Sequence, residues 1–260
     1  KNNRQLSRLA KKVNQVPAKA GEAPVVFFNA STRLGGLSLN AGFSLVTSWA
    51  LRLQGIPVVH FVCDAGMSRC VLGTRQDDPS YSPPCAACKA QSRINFSNAQ
   101  VRRFRFHPDN SLENAIKSLA LAELENFSFQ GMPLGRLVMP SLRWILRRHH
   151  LVDDEPTRYL CQQYMLSAWN ITQKFQAFLE QVSPRCLVIF NGQFFPEATV
   201  RHICLERGVR VISHEVGLMP FSGFFTDGEA TAYPIDIPVD FTLDDRQNAR
   251  LDAYLSNRFQ

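Results

Sequence analysis

Four cysteines fall at the spacing Cys63-x6-Cys70-x14-Cys85-x2-Cys88. A C-x-x-C pair with two further cysteines upstream can supply four thiolates in a tetrahedron, the donor set of a closed zinc site. An iron–sulfur cluster takes four thiolates as well. Unpaired thiols and disulfides are the competing readings. Against a metal stand the missing glycine after Cys88 and the place of Cys63 at the end of a strand-like run. With all four thiolates engaged no open position would remain. The metal would then tie down a long, turn-rich loop and do no chemistry.

A second set of residues sits where apolar runs stop. Four such runs end in polar residues or glycine: VVFFN before the turn of Ser31 to Gly36, VVHFVC before Asp64, LVIF before Asn191-Gly192-Gln193, and VIS before His214-Glu215. A purely structural turn needs one glycine or asparagine. Four edges carrying Asn29, Ser31, Asp64, Asn191, His214 and Glu215 suggest a shared polar cleft, although caps and turns explain each one singly. The Gly35-Gly36 turn does not complete G-x-G-x-x-G, and no G-x-x-x-x-G-K-[ST] is present. The turn reads as a substrate-facing loop, able to offer backbone N–H groups at a helix start. Without a G-x-S-x-G elbow a serine hydrolase is disfavoured. Asp153-Asp154-Glu155 and Asp244-Asp245 could hold a divalent ion, but they read as helix starts, where negative charge is favourable.

These residues must be held by an α/β framework. From Ala23 the rhythm is strand, turn, helix, strand. Val25–Asn29 is continuously apolar up to Asn29, a helix from Leu39 puts Leu39, Phe43, Val46, Ala50 and Leu53 on one stripe, and Gly55 ends it before Ile56–Val62. Two buried strands joined by a helix make a right-handed parallel crossover. A second such half runs from Cys186 through a helix at Pro196–Arg207 to Val209–Ser213. Between the halves lie the Cys-rich loop and a helical segment. Helical runs are expected near Asn98–Phe104 and over Ser111–Glu125, the latter capped by Ser111. A helix with a basic end is expected before His149-His150. The longest helix should carry Leu160, Tyr164, Ala168, Ile171, Phe175, Phe178 and Val182 as its core stripe. The tail from Phe221 to Pro238 is aromatic and turn-rich, and Thr242 is expected to cap a last helix. The predicted fold is a Rossmann-like parallel sheet with flanking helices.

With 260 residues, 45% of them hydrophobic, the chain can bury a sizeable core. No apolar run reaches the roughly 18 residues of a membrane span. The net charge of +7 favours anionic partners. Arg102-Arg103-Phe104-Arg105 interleaves cations with an aromatic, as single-strand binders do. It also fits an edge strand or helix with a solvated basic face, and no nucleic-acid motif accompanies it, so nucleic acid is not an expected partner. Seven cysteines, with Cys161, Cys186 and Cys204 in apolar segments, suit a reducing compartment, and a cytoplasmic location is expected. The basic amphipathic stretch at residues 1–22 carries Leu6, Leu9, Ala10 and Val13 on one stripe. It is expected to dock on the rest of the chain, with a membrane surface as the alternative partner.

Three stretches resemble a known group of proteins. QGMPLGRLVMPSLRWILRR is similar to a gly-x-x-x-gly segment followed by a Leu- and Arg-rich helix in bacterial surface-carbohydrate and capsule biosynthesis proteins. FNGQFFPEATVRHICLERGVRVISHEVG resembles their Asn-Gly turn, helix, and strand ending in Glu and Gly. The strand–turn–helix start with STRLGG is similar to the amino-terminal domain of GT-B-type glycosyltransferases. The resemblance implies that residues 23–240 form a Rossmann-like acceptor-side domain and that 241–260 begin a linker helix. A second domain would hold most of the nucleotide-sugar donor, and the first domain alone would lack turnover. The implied partners are a glycan or lipid-linked sugar acceptor and the nucleotide sugar, at the cytoplasmic side of a membrane. Glu215, His214 and then Asp64 are the implied candidates for the base that deprotonates the acceptor hydroxyl. Arg33 or Arg69 would meet an anionic group. Asn29, Ser31, Asn191 and Gln193 would orient hydroxyls, with Gly35, Gly36 and Gly192 letting backbone approach. A binding domain without catalysis, stapled by the cysteine metal, is a second function left open. A third, another Rossmann-like enzyme such as a nucleotide-sugar epimerase, is disfavoured by the missing dinucleotide fingerprint.

Overall fold

The run VVFFN carries no polar side chain before its last position, so it is most stable with both faces covered. In a computed structural model, which describes residues 2–30, 37–232 and 237–258, it is β1 (Val25–Asn29), inside a sheet. Val58–Cys63 (β2) and Gln100–Phe104 (β3) lie to one side of it. Cys186–Phe190 (β4), Val211–Val216 (β5) and Gly223–Asp227 (β6) lie to the other. Among the described residues the sheet order is β3-β2-β1-β4-β5-β6, parallel except for β6, which pairs antiparallel with β5. The fold is α/β and Rossmann-like.

Alternate residues of β1 feed different cores. Val25 and Phe27 face the side covered by Asn2–Asn14 (α1), Leu39–Leu53 (α2) and Cys85–Asn95 (α3). Val26 and Phe28 face the larger core built with Asn110–Ile116 (α4), Leu121–Glu125 (α5), Leu134–Leu146 (α6), Glu155–Gln181 (α7) and Glu197–Glu206 (α8). The α7 stripe packs as its periodicity implies. Phe175 meets Phe61 edge-on at 5.2 Å, and Phe61 stacks on Phe104 at 5.0 Å. Each such pair adds roughly 0.5–1.5 kcal/mol beyond its buried area. Asp154 starts α7 by accepting from the Thr157 N–H at 2.9 Å, so the Asp153-Asp154-Glu155 run is a helix start. α1 docks on the chain through buried Ala10 and Val13. Its Ser7 Oγ shares a hydrogen bond with Ser97 Oγ at 3.0 Å, while Leu9 stays exposed. Asp245–Arg258 (α9) buries no residue. Among the described residues no helix is long and apolar enough to cross a membrane.

Several expectations are corrected. Residues 100–104 are not helical: they pair with β2 from Val59↔Gln100 to Cys63↔Phe104, with Phe104 buried and Arg102 and Arg103 turned outward. The helix expected over Ser111–Glu125 is broken into α4 and α5, and Asp109, not Ser111, caps α4 by accepting from the Ser111 and Leu112 N–H groups. The α2 stripe is turned away from the sheet. Leu39, Val46, Ala50 and Leu53 are exposed, whereas Ser44, Leu45 and Ser48 are buried. The buried face therefore combines Leu45 with two small hydroxyl side chains, which take little room between helix and strands. The tail holds a strand, β6, and α9 is started by Asp244, which accepts from the Gln247 N–H at 2.7 Å, not by Thr242.

Candidate functional site

β1 and β4 are neighbours in the sheet, although β2, β3 and most of the helices come between them in the chain. This is where the strand order turns back, and ligands of open α/β sheets bind beyond the strand carboxyl ends at that place. The pairing shows how the opening arises. β1 follows β2 to Asn29↔Val62, and β4 follows β5 to Phe190↔His214, but β1 and β4 part after Phe27↔Val188. The last two residues of each strand splay, and a cavity of about 240 Å³ opens between them. Phe28, Phe190, Phe194, Trp144, Met67 and Leu72 give it apolar walls; Asn29, Asn40, Ser44, Asn191, Glu197, His214 and Glu215 add polar groups.

The polar side is built from the ends of β4 and β5. Asn191 adopts a left-handed conformation (φ 57°), which asparagine tolerates better than most residues. Its N–H donates to the His214 carbonyl at 2.9 Å and its Oδ1 accepts from the Gln193 N–H at 3.1 Å, so the turn is closed on both sides. Its Nδ2 is left to donate to Glu215 Oε2 at 3.1 Å. The other carboxylate oxygen of Glu215 accepts from the Val216 N–H at 2.9 Å. His214 is buried, with its ring 6.0 Å from Phe190 and 5.4 Å from Phe225, and reaches the cavity beside Glu215.

Asn29 forms the opposite side. Its Nδ2 lies 3.1 Å from the Phe27 carbonyl and 3.2 Å from His60 Nδ1, and its Oδ1 accepts from Ser44 Oγ at 3.4 Å. Burial pushes the His60 ring down to about 3, so it is neutral and held against Phe96. The unfolded chain, by contrast, takes up a proton on this residue below about pH 6.5. Folding stability should therefore fall as pH drops from 6.5 toward 3, by up to about 1.4 kcal/mol per pH unit from this group. Urea unfolding at pH 7 and pH 5 should show the advantage of the wild type over His60→Gln shrinking by about 2 kcal/mol. An equal advantage at both pH values would remove His60 from the acid response.

The other sequence candidates lie elsewhere. Asp64 does not line the cavity. It pairs with Arg105 at 2.8 Å and Lys89 at 3.7 Å. Burial alone would raise its carboxyl, but the Arg105 hydrogen bond and the Lys89, Arg105 and Arg103 charges outweigh it and hold the group below the usual carboxylate range. An ionised carboxylate so paired is a poor base. Arg69 spends its guanidinium on the Pro79, Ser68 and Ser80 carbonyls and the Tyr159 hydroxyl, clamping the cysteine loop instead of facing a ligand. Gly192 and Gln193 shape the turn outside the cavity lining. Ser31, Arg33, Gly35 and Gly36 lie outside the described residues.

Sequence reasoning missed Asn40, Ser44, Trp144 and Glu197. Glu197 opens α8 just beyond β4, a position legible once β4 borders the switch point. Ser44 was hidden by the leucine stripe of α2. Trp144 comes from α6, which Ser141 Oγ ties to the Phe195 carbonyl at 3.2 Å.

Cys63, Cys70, Cys85 and Cys88 do converge. All four line a small void of about 20 Å³ that shares Ala30, Met67 and Cys70 with the larger cavity. No disulfide forms among the described residues, and as placed no group of three or more His, Cys, Asp or Glu side chains among them is set to hold a metal ion. Burial pushes the Cys63 thiol up to about 12 and the Cys70 thiol up to about 11, so neither is a thiolate nucleophile at neutral pH when protonated in this pocket.

Fold and cleft together define a Rossmann-like α/β protein with its pocket at the turning point of the strand order. No protein-family model matches the chain, and no curated protein matches it either.

Proposed function

We propose that the chain is the acceptor-side domain of a nucleotide-sugar-dependent glycosyltransferase of GT-B type, acting in surface polysaccharide or glycan biosynthesis. The observation that carries this reading is the cleft where β1 and β4 part. It sets Trp144 and Phe194 against Asn29, Asn191 and Glu215. A sugar offers both an apolar ring face and a rim of hydroxyls, and this pairing answers both. At about 240 Å³ the cavity falls below the roughly 300 Å³ at which drug-sized pockets begin, so it suits one sugar residue and not a whole nucleotide sugar. A second unit would hold the donor. Glu215 takes the proton from the acceptor hydroxyl as that oxygen attacks the donor's anomeric carbon and the nucleotide leaves. Asn29 and Asn191 orient the hydroxyls. The exposed Arg4, Arg8, Lys11 and Lys12 of α1 would lie toward an anionic membrane surface carrying lipid-linked acceptors, on the cytoplasmic side.

A glycan-binding domain without catalysis would use the same walls. The observation in its favour is that both Glu215 oxygens already accept N–H donors. Binding is tested by titrating a panel of simple sugars and nucleotide sugars while following tryptophan fluorescence, with Trp144→Phe identifying the part that comes from the cleft. Saturable binding of a sugar is expected, weakened about tenfold by Asn191→Ala, the loss of one good hydrogen bond. No saturable response to any sugar in a folded protein overturns both readings. Transfer by the full-length protein separates them.

A further inference from the structure

We propose that Cys63, Cys70, Cys85 and Cys88 bind a single zinc ion through four thiolates. The first support is convergence. The four cysteines come from the end of β2, the loop after it, and the first turn of α3, and all line one void. Cys85 and Cys88 stand three residues apart at a helix start, which places both side chains on one face.

The second support is the backbone around the sulfurs. The Gly66 N–H donates to Cys63 Sγ at 3.2 Å. The Gly73 N–H donates to the Cys70 carbonyl at 3.0 Å, closing the turn that carries the second cysteine. Both cysteines thus sit in C-x-x-G turns, Cys63–Gly66 and Cys70–Gly73, and in the first the glycine amide points at sulfur. Such donors stabilise a metal-bound thiolate and fix its direction. Neither glycine can be replaced without a collision. A Cβ at position 66 would lie 2.2 Å from the Phe104 ring, and one at position 73 would lie 2.9 Å from Pro83. Lys89 borders the void and offsets part of the charge of four thiolates.

Size selects the metal species. A void of about 20 Å³ is close to the room needed for one water-sized particle, which suits a single ion better than a multi-iron cluster. Zinc–sulfur bonds of about 2.3 Å require the thiols to draw inward from their present placement, in which no three of them are set around an ion. Ala30, Met67 and Cys70 also wall the larger cleft, so the ion would fix one side of that cleft without touching its ligand.

Elemental analysis of untagged protein, purified under reducing conditions without chelator, should give about one zinc per chain. Cobalt substituted for zinc should show thiolate charge-transfer absorption and the d–d bands of a tetrahedral site. The Cys85→Ser, Cys88→Ser double variant should retain roughly no metal. If that variant does not fold, the wild-type zinc content and the cobalt spectrum still decide. Folded wild type that contains no zinc and gives no cobalt–thiolate spectrum overturns the proposal. So does stoichiometric iron with acid-labile sulfide.

Discussion

Gly135→Ala should unfold the protein far more readily than Gly131→Ala, although both glycines belong to the same Gly-x-x-x-Gly stretch. Gly131 has a φ of +84° and open space where a Cβ would go. Alanine there suffers only the left-handed backbone, a cost of about 1–2 kcal/mol. Gly135 lies in the first turn of α6, where a Cβ would stand 2.0 Å from the Leu124 carbonyl oxygen and 2.4 Å from that of Glu125. Those are backbone atoms at the end of α5 and cannot rotate aside. Either the two helices separate or the Gly135 N–H loses its 3.0 Å bond to the Phe127 carbonyl. A loss of about 3 kcal/mol or more is expected, a fall in Tm of roughly 10 °C. The cleft should suffer as well, because α6 carries Ser141 and Trp144, and Trp144 packs on Phe194 at 5.8 Å. Thermal unfolding of the two variants side by side is the check. A Gly135→Ala protein no less stable than Gly131→Ala would show that α5 and α6 do not approach this closely.

The outcome at each candidate residue shows what a sequence can carry. β1 and β4 were legible because their apolar runs are continuous, as strands covered on both faces must be, and β5 because its Val and Ile follow a helix ended by Gly208. Asn29, Asn191, His214 and Glu215 could be placed because each follows an apolar run, and the ends of these strands share one edge of the sheet. Asp64 and Arg69 carry the same signal, but their fate is set by partners distant in the chain. Arg105 arrives on the far end of β3, and the Pro79 and Ser80 carbonyls come from within the loop that Arg69 clamps. No local pattern announces such partners. QVRRF reads poorly as a strand because an edge strand exposes most of its side chains, and only pairing with β2 gives it order. In α2 the periodicity found a real apolar stripe but could not say which side docks. The face that docks carries Ser44, Leu45 and Ser48, a mixture with no strong apolar signal.

If the chain takes part in sugar transfer as proposed, Glu215→Gln should lower that transfer by about 10²–10⁴-fold, the usual worth of a positioned general base. The change keeps the length and shape of the side chain. Its amide oxygen can still accept from Asn191 Nδ2, as Glu215 Oε2 does at 3.1 Å. What it cannot do is take a proton, and its NH₂ would face the Val216 N–H that Glu215 Oε1 now accepts at 2.9 Å. That lost hydrogen bond costs about 1 kcal/mol, too little to unfold a domain of this size. Sugar binding should therefore persist, held by Asn29, Asn191 and the aromatic wall, while turnover collapses, so that kcat falls and the acceptor KM moves little. Equal turnover in both proteins would take Glu215 out of the chemistry. Binding preserved in both proteins, with transfer by neither, would leave the cleft as a glycan-binding site. His214 serves as the internal comparison. It lies between Phe190 and Phe225, so His214→Phe should be tolerated in packing and test whether the imidazole acts on the hydroxyl directly. If Glu215 is the base, His214→Phe should reduce transfer much less than Glu215→Gln does. The reverse order would move the base one residue back along β5, onto the opposite face of the strand.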